Sequence, residues 1–302
     1  MKINTAGKFW IGYFAALIAA VLFSTNVNAY QIWTPLGVTD THVPINPISG
    51  KPQLNLQTID MPNNGQTQRQ FGFVFGRKNN LENVRCDVWE GPTCQYVFPS
   101  APMQMRIVST SASDAAAGTG VRTMETTCLD ANYVQKTETI TLNGTTPVNT
   151  VATDILRVNR TRSVTVGSGG SAAGTISLTN VAGSVTYDII PATFVSSRKA
   201  IYTVPANKTG YIAHWQASSG AATGSHFTII SLRATAFSNT PNASGIFASL
   251  DEVGTLKNSA NISLPIPVRI PEKTDVKITA VSDSSNAGVT VLGAVIGWFE
   301  DN

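Results

Sequence analysis

Cysteine and histidine are the residue types best suited to nucleophilic or metal chemistry in this sequence, and each occurs three times. Cys86 and Cys94 enclose a short segment with a Gly-Pro turn, so in an oxidising compartment the loop is predicted to close as a disulfide. Free thiols and a zinc site are the alternatives, although no Cys-x-x-Cys spacing and no neighbouring histidine favours zinc. Cys128 alternates with Met124 and Thr126 on a predicted strand, which indicates a small buried core residue.

Trp89 lies inside the loop that Cys86 and Cys94 enclose. A side chain in so short a loop is not expected to reach a core, so we predict that Trp89 docks on a neighbouring chain. The other aromatic residues fall mainly on predicted strands or at their ends, which favours core packing.

The histidines show no metal-ligand spacing. His42 lies in a proline-rich stretch, and His226 lies in a Gly-Ser loop where solvent is expected to surround it. His214 alternates with Ile212 and Gln216, which predicts a satisfied residue in the wall of a sheet rather than a catalyst.

Paired carboxylates would supply the acid and the nucleophile or base of a glycosidase. Most of the candidates occupy predicted turns, where Asp has a local hydrogen-bonding role. The runs Gly118–Gly120 and Gly167–Gly174 lack the Lys-Ser/Thr ending of a phosphate-binding loop and read as β turns. We therefore predict no catalytic residue, no cofactor and no metal site, and keep a secreted glycan hydrolase as an alternative. The candidate carboxylates are Asp87, Glu90, Asp114, Glu125, Asp130, Glu138, Asp154, Asp188, Asp251 and Glu252.

Charged residues make up only 13% of the chain and hydrophobic residues 42%. The charged share is about half of the usual one, and a neutral polar surface is typical of extracellular and capsid-type β proteins. The net charge is +3, and two of the positive charges are Lys2 and Lys8 at the amino terminus. Because the rest of the chain is near neutral and has no basic stripe, nucleic-acid binding is not expected.

The amino terminus has the three parts of a secretory signal peptide. Lys2 and Lys8 precede an apolar run from Phe9 to Phe23, and small residues lead to Ala29, where cleavage is predicted. No charge lies between Lys8 and Asp40. The alternative is therefore that residues 1–29 are not cleaved and serve as a membrane anchor. Residues 30–70 are rich in Pro and Asn and are predicted to form an extended arm that lies on a neighbouring subunit or remains flexible.

From residue 71 onward the pattern is one of strands and turns. Val121–Cys128 and Tyr133–Leu142 are predicted to form a hairpin around Leu-Asp-Ala-Asn. Ile155–Val166 is predicted to be one long strand, and its apolar face also carries Arg160 and Arg162, so the strand is expected to leave the core midway or meet a partner there.

The predicted fold is all-β, an antiparallel β-sandwich or jelly-roll-like architecture. Strand lengths and turn spacing fit either one large sandwich or two small ones. A domain over 71–195 and a second domain, or second half, over 196–302 are predicted, with the boundary near Thr193–Ala200.

Several motifs in order resemble structural proteins of environmental, often marine, phages. They are Phe75–Arg77, Asp87–Gly91, Arg106–Arg122, Leu129–Tyr133, Glu138–Thr146, Leu156–Arg160, Gly167–Gly174, Tyr202–Gly210 and Ile270–Asp275. The resemblance covers roughly residues 71 to 302. It implies an oligomeric virion component of the head or tail and brings no catalytic residues. The signal-like segment departs from that family's pattern, because it points to export rather than cytoplasmic assembly.

We therefore expect a surface-displayed virion structural protein that takes part in host attachment. Its expected partners are copies of itself, other virion proteins and a host glycan or receptor, and a membrane only through residues 1–29 if these remain uncleaved. The alternative is an exported bacterial adhesin or lectin-like protein, secreted or associated with the cell envelope.

Overall fold

The computed structural model describes residues 70–221, 224, 226–237, 240–241, 246–284 and 288–302. The predicted signal and all but the last residue of the predicted arm lie outside these residues, as does His42. Within them there are eighteen strands and no helix, so the all-β prediction is confirmed. In chain order the strands are β1 (Gln70–Lys78), β2 (Cys86–Asp87), β3 (Met105–Ser109), β4 (Val121–Leu129), β5 (Gln135–Thr141), β6 (Val148–Asn149), β7 (Arg157–Val166), β8 (Ile176–Asn180), β9 (Thr186–Ile190), β10 (Ile201–Thr203), β11 (Lys208–Ala221), β12 (Phe227–Ala234), β13 (Ala236–Phe237), β14 (Thr240–Pro241), β15 (Ala248–Leu256), β16 (Ser259–Ile270), β17 (Asp275–Ser282) and β18 (Val289–Asp301).

Two antiparallel sheets form what we call the first sandwich. One sheet has the order β1-β18-β11-β16, and the other has the order β10-β17-β12-β15 with β2 added on β17. Alternate residues of the strands meet in a shared core, which includes Trp215 of β11, Ile230 and Leu232 of β12 and Ile278 of β17. This arrangement follows from the two-residue period of a strand, which places every second side chain on the same side of the sheet.

A second pair of sheets forms the second sandwich. Its sheets have the orders β6-β3-β8-β9 and β5-β4-β7. Their apolar faces enclose a separate core that includes Met105, Ile107, Met124 and Leu178. Cys128 lies in this core and is 1% exposed, as its alternation with Met124 predicts.

The second sandwich is inserted, in sequence, within the first. β1 pairs with β18 from Gln70 opposite Phe299 to Lys78 opposite Val291, and β2 pairs with β17. Strands from both ends of the chain therefore share the first sandwich, while β3 to β9 build the second. The domain bounds 71–195 and 196–302 stay a prediction. The strand pairing shows in addition that β1 and β2 belong to the same sandwich as the strands that follow residue 200.

The hairpin around Leu-Asp-Ala-Asn is confirmed. β4 and β5 pair antiparallel. The Asp130 carboxylate accepts the backbone N–H groups of Asn132 and Val134 at 2.8 and 3.0 Å, and Tyr133 has a φ of 63°. The aspartate thus stabilises the reversal through local hydrogen bonds, as turn-forming aspartates do.

The expectation that Arg160 and Arg162 share the apolar face of the Ile155–Val166 strand is wrong. Val158 lies opposite Cys128 and Arg160 lies opposite Thr127, so Asn159 is an extra residue that forms a bulge in β7. Val158 is buried, whereas Val164 is 49% exposed. Arg162, in the exposed part of β7, donates to Glu125 of β4 at 2.7 Å. The bulge therefore places Arg160 and Arg162 on the outer face together with Val164, while Thr161, which is 1% exposed, stays on the core face.

Candidate functional site

The structure joins Cys86 and Cys94 in a disulfide. Glu82 lies close enough to both sulfur atoms for the three residues to form a potential metal-ligand group. Metals bind the thiolate form of cysteine, so the bonded pair offers no thiolate ligand while the disulfide is intact.

Trp89 is packed inside its own chain, which corrects the expectation that it docks on a neighbouring one. It is 1% exposed and belongs to a small core with Tyr96 and Ile201. Its ring meets Tyr96 edge-on at a centroid distance of 5.1 Å, and its Nε1 donates to the Thr93 carbonyl at 3.1 Å. The expectation was wrong because the segment after the disulfide folds back and supplies a local core.

One thiol titration tests both the disulfide and Cys128. Burial raises the pKa of the Cys128 thiol to about 11, so at about pH 8, near the ordinary thiol pKa, the native chain is expected to show no reactive thiol. Denaturation should expose one thiol, and denaturation with reduction should expose three. A reactive thiol in the native chain, or three without reduction, would contradict this assignment.

The same pKa shift gives a pH dependence of stability. An unfolded thiol ionises at a pKa of about 8.5, whereas burial holds Cys128 neutral until about pH 11. The contribution of the buried thiol is therefore complete below about pH 8.5 and is lost as the pH rises toward 11.

Each of the ten candidate carboxylates interacts with a donor of its own chain. Lysine or arginine pairs with Asp87, Glu90, Glu125, Asp130, Asp154, Asp188 and Glu252. N–H groups donate to Asp114, Glu138 and Asp251. These interactions give each of the ten groups a role as a turn, strand or core support, although Glu90 Oε2 is buried without a hydrogen-bond partner.

Asp114 is the most enclosed of these carboxylates, with no exposed surface. It connects the two glycine-rich regions, because it accepts hydrogen bonds from Val121, which follows the first run, and from Ala173 and Gly174 in the second. A Cβ at position 120 would lie 2.1 Å from Asp114 Oδ1, so the close approach requires glycine there. The donors are Ser109 Oγ at 2.6 Å, Val121 N at 2.8 Å, Ala173 N at 2.9 Å and Gly174 N at 2.9 Å.

Two buried cations lie where the sandwiches meet. Arg157 of β7 donates to both carboxylate oxygens of Asp275 of β17, at 3.0 and 3.2 Å. Lys199, between β9 and β10, donates to the Val158 carbonyl at 2.8 Å and lies 3.6 Å from Asp188. Burial lowers the pKa of Lys199, and Asp188 opposes that effect. The Arg157–Asp275 pair joins a strand of the second sandwich to a strand of the first, whereas Lys199 contacts only β7 and β9 of the second sandwich from the segment that leads to β10.

The alternation around His214 is interrupted. A register shift between Ile212 and His214 places an extra residue in β11, so Ile212 and Trp215 both belong to the core. His214 and Gln216 lie on the opposite face of the sheet, and His214 Nδ1 is 3.2 Å from Ser263 Oγ. His214 is therefore a wall residue, but it does not share a face with Ile212 as predicted.

His226 is less solvated than predicted. Its Nδ1 lies 3.0 Å from Asp283 Oδ1, and its side chain is 22% exposed. The backbone N–H of Phe227 and the His226 ring lower the pKa of the Asp283 carboxyl. The contact joins His226, directly before β12, to Asp283, directly after β17.

The outward face of the sheet β1-β18-β11-β16 contains a hollow of about 150 Å³. The strand register places Gln216 of β11 opposite Asn261 of β16, and Ser218 opposite Ser259. We call this hollow the outer groove and define it by Phe75, Gln216, Ser218, Ser259, Asn261 and Leu292.

The outer groove combines unbonded polar groups with apolar ones. Among the residues that the structure describes, the amide of Asn261 and the hydroxyls of Ser218 and Ser259 have no hydrogen-bond partner. None of the residues that line the groove is charged. Sequence reasoning missed the groove because β11 and β16 are brought together only by pairing; the alternation of polar residues on each strand was the available signal.

Comparison with protein families and with curated proteins finds no match for this chain. Among the described residues, no helix is both long and apolar enough to span a membrane.

Proposed function

We propose that this chain is a non-catalytic structural protein of virus particles, displayed on the particle surface and used in host attachment. The observation that carries the proposal is the role of Asp114. Two of the motifs that resemble phage structural proteins, Arg106–Arg122 and Gly167–Gly174, are connected through this buried carboxylate. A buried carboxylate that connects two loops has a structural role, so these motifs are best interpreted as parts of the fold rather than as parts of a catalytic site.

The remaining carboxylates support the same proposal. A glycosidase needs one carboxyl group as acid and a second as nucleophile or base, both facing the substrate. In this chain, Lys136 lies between Asp130 and Asp154 and bonds to both, at 3.2 and 2.8 Å. Glu138 is occupied by the backbone N–H groups of Val151 and Ala152. The hydrolase alternative is therefore the weaker one.

An exported adhesin or lectin is the second candidate, because the outer groove presents unbonded amide and hydroxyl groups. The two candidates share a binding role and differ in where the chain is displayed. An oligomeric particle would let many weak contacts act together.

Mass spectrometry of purified particles from the source culture tests the proposal. We expect the chain at many copies per particle, with its first peptide beginning at Tyr30 after cleavage. A first peptide at Met1 would instead indicate the uncleaved anchor. Detection only in the medium or cell envelope, with none in particles, would reject the virion assignment in favour of the exported adhesin.

A further inference from the structure

We propose that the outer groove binds one sugar ring of a neutral oligosaccharide. This inference deepens the proposed function, since it names the ligand class for attachment, and it rests on that function for its biological meaning. The groove itself is defined by the geometry of four strands.

The polar side of the groove is suited to hydroxyl groups. Gln216 and Asn261 lie opposite each other on β11 and β16. An amide side chain both donates and accepts hydrogen bonds, as a sugar hydroxyl does, so the Asn261 amide can serve two neighbouring hydroxyls. Gln216 Nε2 lies 3.3 Å from His214 Nε2, and the Gln216 carbonyl oxygen is the group that it offers to a ligand. The hydroxyls of Ser218 and Ser259, opposite each other one row along, add further groups of the same kind.

The apolar side of the groove is suited to the C–H face of a sugar ring. β18 contributes Leu292 and Ala294, and β1 contributes Phe75. The Arg198 guanidinium carbon lies 5.1 Å from the centroid of the Phe75 ring and helps to fix its position. Apolar walls with a few oriented polar groups are the usual composition of small-ligand sites.

The groove favours a neutral ligand over an acidic one. None of its lining residues is charged. Because charge complementarity sets partner choice at a binding surface, a sulfated or uronic-acid sugar would lose solvation of its charge without gaining an ion pair. The hollow of about 150 Å³ is smaller than pockets of about 300–1,000 Å³ that enclose drug-sized ligands, which limits it to one ring of a longer chain.

A second copy of this chain is the competing occupant, and the observations favour it less. A protein interface has an apolar core, and covering Ser218, Ser259 and Asn261 with apolar surface would remove their polar groups from water without giving them a hydrogen-bond partner, which is unfavourable. The β16 edge of the sheet contains Pro265 and Pro267, and proline disfavours addition of a further strand.

The test uses the purified full chain and an array of immobilised oligosaccharides. The neutral probes contain glucose, galactose, mannose or N-acetylglucosamine, and the acidic probes are sulfated or contain uronic acids. We expect binding to at least one neutral probe. The double variant Gln216→Ala with Asn261→Ala should reduce that binding about tenfold or more, because two hydrogen bonds of about 1 kcal/mol each are lost.

The matched control is Gln135→Ala with Asn149→Ala. Gln135 and Asn149 are exposed on β5 and β6 of the second sandwich and lie outside the groove. The control should bind like the original chain, and both double variants should keep the original circular dichroism spectrum.

Three outcomes would overturn the proposal: no neutral probe binds, only acidic probes bind, or the groove variant binds as well as the original chain. Sedimentation velocity adds a fourth, a dimer of the original chain that the groove variant converts to monomers. The array uses the isolated chain and is independent of the particle analysis. If no neutral probe binds but mass spectrometry finds the chain in particles, only the groove proposal is rejected. Absence from particles with positive glycan binding rejects the virion assignment alone.

Discussion

Replacement of Asp114 with Ala is expected to lower the free energy of unfolding of the second sandwich by about 3–5 kcal/mol. The carboxylate accepts four hydrogen bonds and has no exposed surface. Removing it leaves the donors without a partner, and each buried unpaired donor costs about 1–3 kcal/mol. Partial entry of water into the loops keeps the total below the simple sum.

Hydrogen exchange with mass spectrometry measures the loss of stability at the amides that donate to Asp114. In the Asp114→Ala variant the amides of Val121, Ala173 and Gly174 should lose protection, because they are the donors to the missing group. Asp154→Ala is the control, since the Asp154 side chain is 42% exposed in its pair with Lys136 and exposed ion pairs contribute little to stability. Unchanged protection in the Asp114 variant would show that the carboxylate does not hold the loops.

Replacement of Arg157 with Ala is expected to destabilise the chain by about 3 kcal/mol or more and to weaken the junction of the two sandwiches. Both partners of the Arg157–Asp275 pair are largely buried. Loss of one member leaves the other charge buried without compensation, which costs about 3–5 kcal/mol. The Arg157 guanidinium also lies over the rings of Phe98 and Tyr133, so the variant loses these contacts as well.

Urea unfolding followed by two probes measures this variant. No strand of the second sandwich carries a tryptophan, so changes in Trp fluorescence on unfolding report the first sandwich, with Trp215 and Trp298, and the small core around Trp89. Circular dichroism reports all strands. We expect coincident transitions for the original chain and separated transitions for Arg157→Ala, because cooperativity requires the contact.

The control is Arg162→Ala, whose pair with Glu125 is half-exposed and should contribute less than about 1 kcal/mol. A double-mutant cycle with Asp275→Asn isolates the pair. Coincident transitions in Arg157→Ala, together with a coupling free energy near zero between Arg157 and Asp275, would show that this pair does not link the sandwiches.

The two predictions bear on the proposed function. Asn159 of β7 exchanges two hydrogen bonds of 2.9 Å with the backbone of Thr203 of β10, beside the Arg157–Asp275 pair. A junction with these bonds fixes one sandwich against the other. A displayed binding surface gains from this fixed geometry, because less ordering is required when a ligand binds.

The sequence by itself determined the features that depend on local patterns. Alternating apolar residues predicted strands because the side-chain period of a strand is two. Asp130 and Asn132 predicted the turn between β4 and β5 because short polar side chains bond to their own backbone. The fold class and the burial of Cys128 follow from the same local rules.

Tertiary structure alone decided the features that depend on residues far apart in the chain. β1 pairs with β18, although all strands of the second sandwich lie between them in the sequence, and no local pattern encodes that partner. Trp89 is buried because Ile201, more than a hundred positions away, completes its core. The outer groove exists because Gln216 and Asn261 meet in register. In each case the controlling free energy comes from contacts between distant segments, which spacing along the sequence does not reveal.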